Sequence, residues 1–137
     1  MTRFVVLDNE AVQALASPHH PKHQRILGYV ELVERRKRHA AAISILAPTA
    51  VRVEAGWDRN SPQWAFINRL RIVDILLDAE CANKAAAIRE QAHVSVADAH
   101  IGATVQSAPD ADITVVTSDP RDIHTVTGGR RVTVVAI

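Results

Sequence analysis

The sequence predicts an α/β protein, a three-layer α/β/α sandwich around a mainly parallel sheet of about five strands. Three observations carry that expectation. Ile113–Val116 is a short β-rich apolar run that breaks at Thr117-Ser118-Asp119-Pro120, the pattern of a buried strand releasing polar groups at its carboxyl end. Phe4-Val5-Val6-Leu7 followed by Asp8-Asn9-Glu10 repeats the arrangement at the start of the chain. Between them, short apolar runs alternate with helical patterns, as a parallel sheet with crossover helices requires.

Arg3–Leu7 is the first expected strand, and Asp8 to Leu15 a short helix with Ala11, Val12 and Leu15 on one face. Ser17-Pro18-His19-His20-Pro21 ends it. From Lys22 to His39 the apolar residues Ile26, Tyr29, Val30 and Val33 recur at helical spacing. Ala41–Leu46 is a second buried strand. Pro48 sits where a first helical turn tolerates proline, and Ala50, Val51 and Glu54 share one face of the helix that follows. Ser61–Leu70 is a helix carrying Trp64 and Ile67, and Arg71–Leu76 a third strand. Asp78 suits the N-cap of a helix to about Glu90, with Cys81, Ala85 and Ile88 inward. Ser95 opens a helix to about Gln106. Ile113–Val116 is the fourth strand and Arg131–Ala136, after Gly128-Gly129, the fifth.

A length of 137 residues is that of a single domain, residues 1–137, with a sizeable core. Hydrophobic residues at 47% and charged residues at 23% describe a soluble globular protein. Aromatics are scarce, at 4%, so the core is expected to be aliphatic. No apolar run approaches the length of a membrane span. Phe4–Leu7 stops at Asp8, unlike the apolar region of a signal peptide. The single cysteine, Cys81, excludes an intrachain disulfide framework and reads as core packing. The expected location is the cytoplasm. A formal charge of +1 does not mark a partner, and the run Arg35-Arg36-Lys37-Arg38 fits a solvated helix C-terminus better than a nucleic-acid patch.

Functional groups in open parallel sheets gather beyond the carboxyl ends of the strands, near the switch in strand order. Asp8 and Asp119 fall there. Asp98 lies on the stripe Val94, Ala97, Ile101, Val105, and Glu54 on the stripe with Ala50 and Val51, so both are expected to face the core side. A buried carboxylate is costly unless it is neutralised or hydrogen-bonded. Several converging carboxylates also repel one another, and a hard divalent cation, Mg²⁺ or Mn²⁺, relieves both costs. Each acid fits a capping role as well. Asp8 can cap the next helix, Ser95-x-x-Asp98 is a capping box, and Asp119-Pro120-Arg121-Asp122 is a capped turn. Capping alone does not require all four at one edge of a sheet.

The order Asp8, Glu54, Asp98, Asp119 resembles the PIN-domain ribonucleases, in particular the VapC-type toxins of VapBC toxin–antitoxin pairs. The resemblance rests on Val5-Val6-Leu7-Asp8, Val53-Glu54, Ser95-Val96-Ala97-Asp98-Ala99-His100-Ile101-Gly102-Ala103, and Val115-Val116-Thr117-Ser118-Asp119-Pro120-Arg121-Asp122. It spans essentially the whole chain. It implies a PIN-like sandwich whose acidic pocket binds one or two Mg²⁺ or Mn²⁺ ions and hydrolyses RNA through an activated water, leaving a 3′-hydroxyl and a 5′-phosphate. By position, Asp8, Glu54, Asp98 and Asp119 are its catalytic and metal-site acids, with Asp122 a fifth, directly or through water. Thr117, Ser118 and Asn9 would orient them. It further implies a small VapB-like antitoxin over a hydrophobic groove, and a homodimer. The apolar faces around Leu15, Ile26, Tyr29 and Val33 are candidates for that groove, with core packing the competing use.

RNA needs basic contacts, because phosphate dominates affinity. Arg121 beside Asp119 and Arg52 near Glu54 are the nearest by sequence, each fitting an ordinary surface arginine better than a phosphate contact. His19, His20 and His23 lack a cysteine or acid at zinc-ligand spacing, and Pro21 interrupts them. His100 reads as a helix-surface histidine. The alternative function is a non-catalytic PIN-like module that holds RNA or a protein. A receiver-like signalling domain is excluded by Asp74, a poor acceptor, and by the absence of any lysine after Lys84.

Overall fold

A computed structural model describes residues 2–37 and 42–137. Five strands, β1 (Arg3–Leu7), β2 (Ile43–Pro48), β3 (Ile72–Ile75), β4 (Asp112–Thr117) and β5 (Thr133–Ala136), form one sheet in the order β3-β2-β1-β4-β5. Every pairing is parallel. The connections carry α1 (Asn9–Ala16), α2 (His23–Lys37), α3 (Thr49–Ala55), α4 (Ala65–Asn68), α5 (Ala79–Ala92), α6 (Val96–Gln106) and α7 (Pro120–Val126). The expected ends of the second helix at His39 and of the second strand at Ala41, together with Arg38, lie outside the described residues.

From β1 the chain steps to β2 and β3, then returns across β1 to β4 and steps on to β5. Right-handed crossovers put α1 and α2 on one face and α5, α6 and α7 on the other. Three layers result. Val5, Val6 and Leu7 point alternately to opposite faces, yet all three are buried, as a strand covered on both sides demands. The aliphatic core runs through β1, β2 and β4 to Leu15 and Ile26 on one side and Ile101 and Val105 on the other. A smaller cluster of Ala85, Ile88, Ala99, Ala103 and Val126 joins α5, α6 and α7.

The switch in strand order falls between β1 and β4. Leu7 aligns with Val116, so Asp8 and Thr117 leave the sheet side by side. That is where a doubly wound sheet opens a crevice.

Ser61–Leu70 is not one helix. Pro62–Trp64 forms a 3₁₀ turn that runs into the four-residue α4. Asn68 explains the early stop, because its side chain accepts from Trp57 Nε1 at 2.7 Å and donates to the Arg59 carbonyl at 2.9 Å. The helix end is thereby tied back to its own loop. β3 and β5 are shorter than expected, and both are edge strands. Leu15, Ile26 and Val33 are fully committed to the core, which removes them from any groove.

Candidate functional site

Asp8 closes β1 and caps α1. Its Oδ1 accepts from the Ala11 amide at 2.8 Å and its Oδ2 from the Ser118 amide at 3.1 Å. The Thr117 hydroxyl bonds the same carboxylate. The residue is only 6% exposed. Burial raises its pKa, against the pull of the bonds from Thr117, Ala11 and Ser118, and Glu10 adds to the rise.

Thr117 is buried at the end of β4 and accepts from the Asp119 amide at 2.9 Å through its hydroxyl. That bond turns the chain into α7, where Asp119 is the N-cap and accepts from the Asp122 amide at 3.3 Å. Pro120 follows at the position that needs no amide donor. Asp119 is exposed and Asp122 partly so. Asp122's pKa is raised by its partial burial, then by the charge of Asp119 and the hydrogen bond between the two.

Ser95 caps α6, taking the Asp98 amide on Oγ at 3.1 Å. Asp98 therefore starts the helix half-buried. Its pKa is raised to about 6, by burial first, then by the charges of Asp122, Asp8 and Glu54, with the Ser95 hydrogen bond opposing. Since Asp119 acts on Asp122, all five expected acids share one electrostatic field.

Glu54 is exposed rather than facing the core. α3 is seven residues long and fully buries only Val51, while Val53, at 82% exposure, and Glu54 look outward. Among the described residues, no group of three or more His, Cys, Asp or Glu is placed so that it could hold a metal ion as it stands. The donor set still suits a hard cation, being all carboxylate and mutually repelling.

The supporting residues divide. Thr117 engages Asp8 through its side chain and Ser118 through its backbone. Asn9 does not, since its Oδ1 accepts from Gln13 Nε2 at 2.9 Å along α1. Arg52 is not free for phosphate. Its Nη1 meets Asp74 Oδ2 at 2.7 Å, its guanidinium lies 5.3 Å from the Trp57 ring centroid, and its Nε is buried without a hydrogen bond. Arg59 grips the other Asp74 oxygen at 2.7 Å and stacks on the same ring at 4.4 Å. Arg121 is exposed on the first turn of α7, beside Asp119. His20 pairs with Glu10 at 3.0 Å, and His23 Nδ1 bonds the Ala14 carbonyl at 2.8 Å, so neither is presented as a ligand.

His100 overturns its expected surface position, being 0% exposed. Its Nδ1 accepts from the Ala50 amide at 3.2 Å. The ring proton consequently sits on Nε2, which is buried without a hydrogen bond of good geometry. Burial lowers its pKa, against the pull of the Leu76 carbonyl and Asp78. A signal existed in the sequence: Ala97–Val105 is apolar on nearly every side, and such a helix is buried all round.

Beside the acids lies an open groove of about 630 Å³, walled by Val53, Leu77, Val96 and Ala97, with Glu54 at its side. No family model matches the sequence, and no curated protein does. Two solved structures share the fold. A chain of FitAB bound to the IR36 DNA fragment superposes with a TM-score of 0.58, at 18% identity over 96% of this chain and 94% of that one. A chain of VapBC2 from Rickettsia felis, bound to a DNA fragment from their promoter, superposes with a TM-score of 0.61, at 14% identity over 98% of both.

The fold is PIN-like.

On this PIN-like frame the acids take their places by topology. Asp8 and Asp119 leave the two strands that flank the switch, and Asp98 and Asp122 sit on the first turns of the helices packed beside them. Among the described residues no helix is long and apolar enough to cross a membrane.

Proposed function

We propose that this protein is a Mg²⁺- or Mn²⁺-dependent ribonuclease, the toxin of a toxin–antitoxin pair. One observation carries the reading. The Asp98 carboxyl is pushed up to about 6, by burial first and then by the charges of Asp122, Asp8 and Glu54, so carboxylates carried by four different elements lie close enough to act on one another. Charge held together against its own repulsion marks a functional site more often than a structural one. The two structures of like fold are both two-component complexes bound to DNA, which supports a small antitoxin as partner. The groove along Val53, Leu77 and Val96 offers apolar surface for it.

Asp8, Glu54, Asp98 and Asp119 would hold the cation, with Asp122 directly or through water. Bound there, the ion supplies a water made acidic enough to attack near neutral pH and an offset to charge developing on the phosphate. The chain's own residues do the positioning. The Ala11 and Ser118 amides and the Thr117 hydroxyl fix the Asp8 carboxylate, and Ser95 fixes the start of α6 below Asp98. Arg121, exposed beside Asp119, would neutralise an RNA phosphate. In the reaction the oxygen of water bonds to phosphorus, the bond from phosphorus to the 3′-oxygen breaks, and the departing 3′-oxygen takes up a proton from the water to become the 3′-hydroxyl.

The test is the melting temperature of the purified protein with and without Mn²⁺, alongside Asp98→Asn. A ligand bound only by the folded state raises the melting point. Mn²⁺ is expected to stabilise wild type, and the variant is expected to melt higher than wild type without metal and respond less. One observation favours a non-catalytic binding module instead, namely that among the described residues no three acids stand ready to hold an ion. An absent Mn²⁺ response, with a variant that is merely destabilised, would establish that reading.

A further inference from the structure

α3 begins without the usual help. Its N-cap is Pro48, which offers no side-chain acceptor, so the first amides of the helix must find partners elsewhere. The Ala50 amide finds His100, a residue of α6 buried beneath it at 3.2 Å. His100 stands two positions beyond Asp98, and Ala50 four positions before Glu54, one turn up the same helix. A single hydrogen bond therefore ties together the two helices that carry these acids. A second tie closes the same corner, since Thr49 Oγ1 accepts from the Leu77 amide at 3.1 Å. The imidazole thus reaches across helices to do what a serine or aspartate at the N-cap ordinarily does from within one.

We infer that His100 is a positioning residue: by capping α3 from α6 it sets where Glu54 stands relative to Asp98, and so sets the strength with which the acidic site takes a divalent cation. The inference rests on the metal-site reading above. Its geometry explains why an imidazole is fully buried between Ala99 and Ile101 in α6. A leucine would fill the same space but leave the part-buried Ala50 amide without its acceptor. An asparagine can place its Oδ1 near the position of Nδ1 and restore the acceptor.

The experiment compares wild type, His100→Leu and His100→Asn as full chains. Two quantities are read: Mn²⁺ affinity by calorimetric titration, and hydrogen-exchange protection of the α3 amides without metal. The Leu variant is expected to melt cooperatively, lose α3 protection and bind Mn²⁺ at least tenfold more weakly. The Asn variant is expected to recover both to within about threefold of wild type, a rescue that loss of packing would not produce. If the Leu variant binds Mn²⁺ as tightly as wild type, or if Asn fails to restore affinity, the positioning role is overturned while the metal site stands. If wild type itself binds no Mn²⁺, the metal-site reading falls and the positioning role falls with it.

Discussion

The Ser118 amide donates to the Asp8 carboxylate across 3.1 Å, closing a contact between residues 110 positions apart. The other oxygen of that carboxylate caps α1. Asp8 is thus a structural clasp as well as a candidate ligand, and its two roles have opposite consequences for stability.

Asp8→Ala leaves two amides short of an acceptor at a buried position, and is expected to cost about 2 kcal/mol. Asp8→Asn keeps one acceptor but turns an amino group toward an amide donor, for a loss of about 1 kcal/mol. Urea denaturation midpoints measure both. A stabilised Asp8→Asn would mean that repulsion among the acids outweighs the clasp.

Asp98 is expected to behave in the opposite sense. An acid with a raised folded-state pKa binds more protons folded than unfolded between its two values, so stability falls as pH rises through that window. For Asp98 the window runs from 3.8 to about 6, and Asp8 and Asp122 act in the same direction. Metal-free Asp98→Asn should therefore outlast wild type near neutral pH by about 1 kcal/mol, or about 4 °C, after allowing for screening of a half-exposed group. The gap should close as pH approaches 3.8. A gap independent of pH would sink the electrostatic explanation.

The two arginines should separate cleanly. Arg121→Ala is expected to leave stability within about 0.5 kcal/mol. It should also reduce the salt dependence of binding to a single-stranded RNA oligonucleotide by about 0.7 in log–log slope. Arg52→Ala strips a partner from Asp74 and a guanidinium from Trp57, and is expected to cost about 2 kcal/mol without changing that slope. Reversal of the two patterns would show that Arg52 faces the RNA.

Gly102 lets α6 approach α7. A Cβ there would lie 2.5 Å from the Val126 carbonyl oxygen and 2.8 Å from Val126 Cβ. Backbone cannot yield as a flexible side chain does. Gly102→Ala is accordingly expected to cost about 2 kcal/mol and to weaken Mn²⁺ binding, because α6 carries Asp98 and α7 carries Asp122. Thermal melts and metal titration of the variant check this, and an unaltered melting point would refute it.

The sheet and most helices were legible because they obey local rules. Phe4–Leu7 and Ile113–Val116 are apolar runs that end in polar residues, and Ser95 and Asp78 are caps that do cap. The acids at the strand ends were legible for the same reason. What escaped depends on contacts distant in sequence. Glu54 shares a stripe with Val51, but a helix of seven residues at the rim buries one position and exposes the next turn. Arg52 looks like a free cation until Asp74 and Trp57 are brought beside it from β3 and the following loop. His100 is polar by type and internal by context, and only the bare start of α3 explains it.

The pairing of β1 with β4 has a consequence for synthesis. Residues 3–7 align with residues 112–116, so the first strand made pairs early with β2 on one side but must wait more than a hundred residues for β4 on the other. Asp8 receives its Ser118 bond only then. A growing chain on the ribosome holds Asp8, Glu54 and Asp98 without the element that gathers them. Until residues 112–122 are made and docked, these acids stand without Asp119, Asp122 and the Ser118 amide, so the proposed site is assembled late in synthesis.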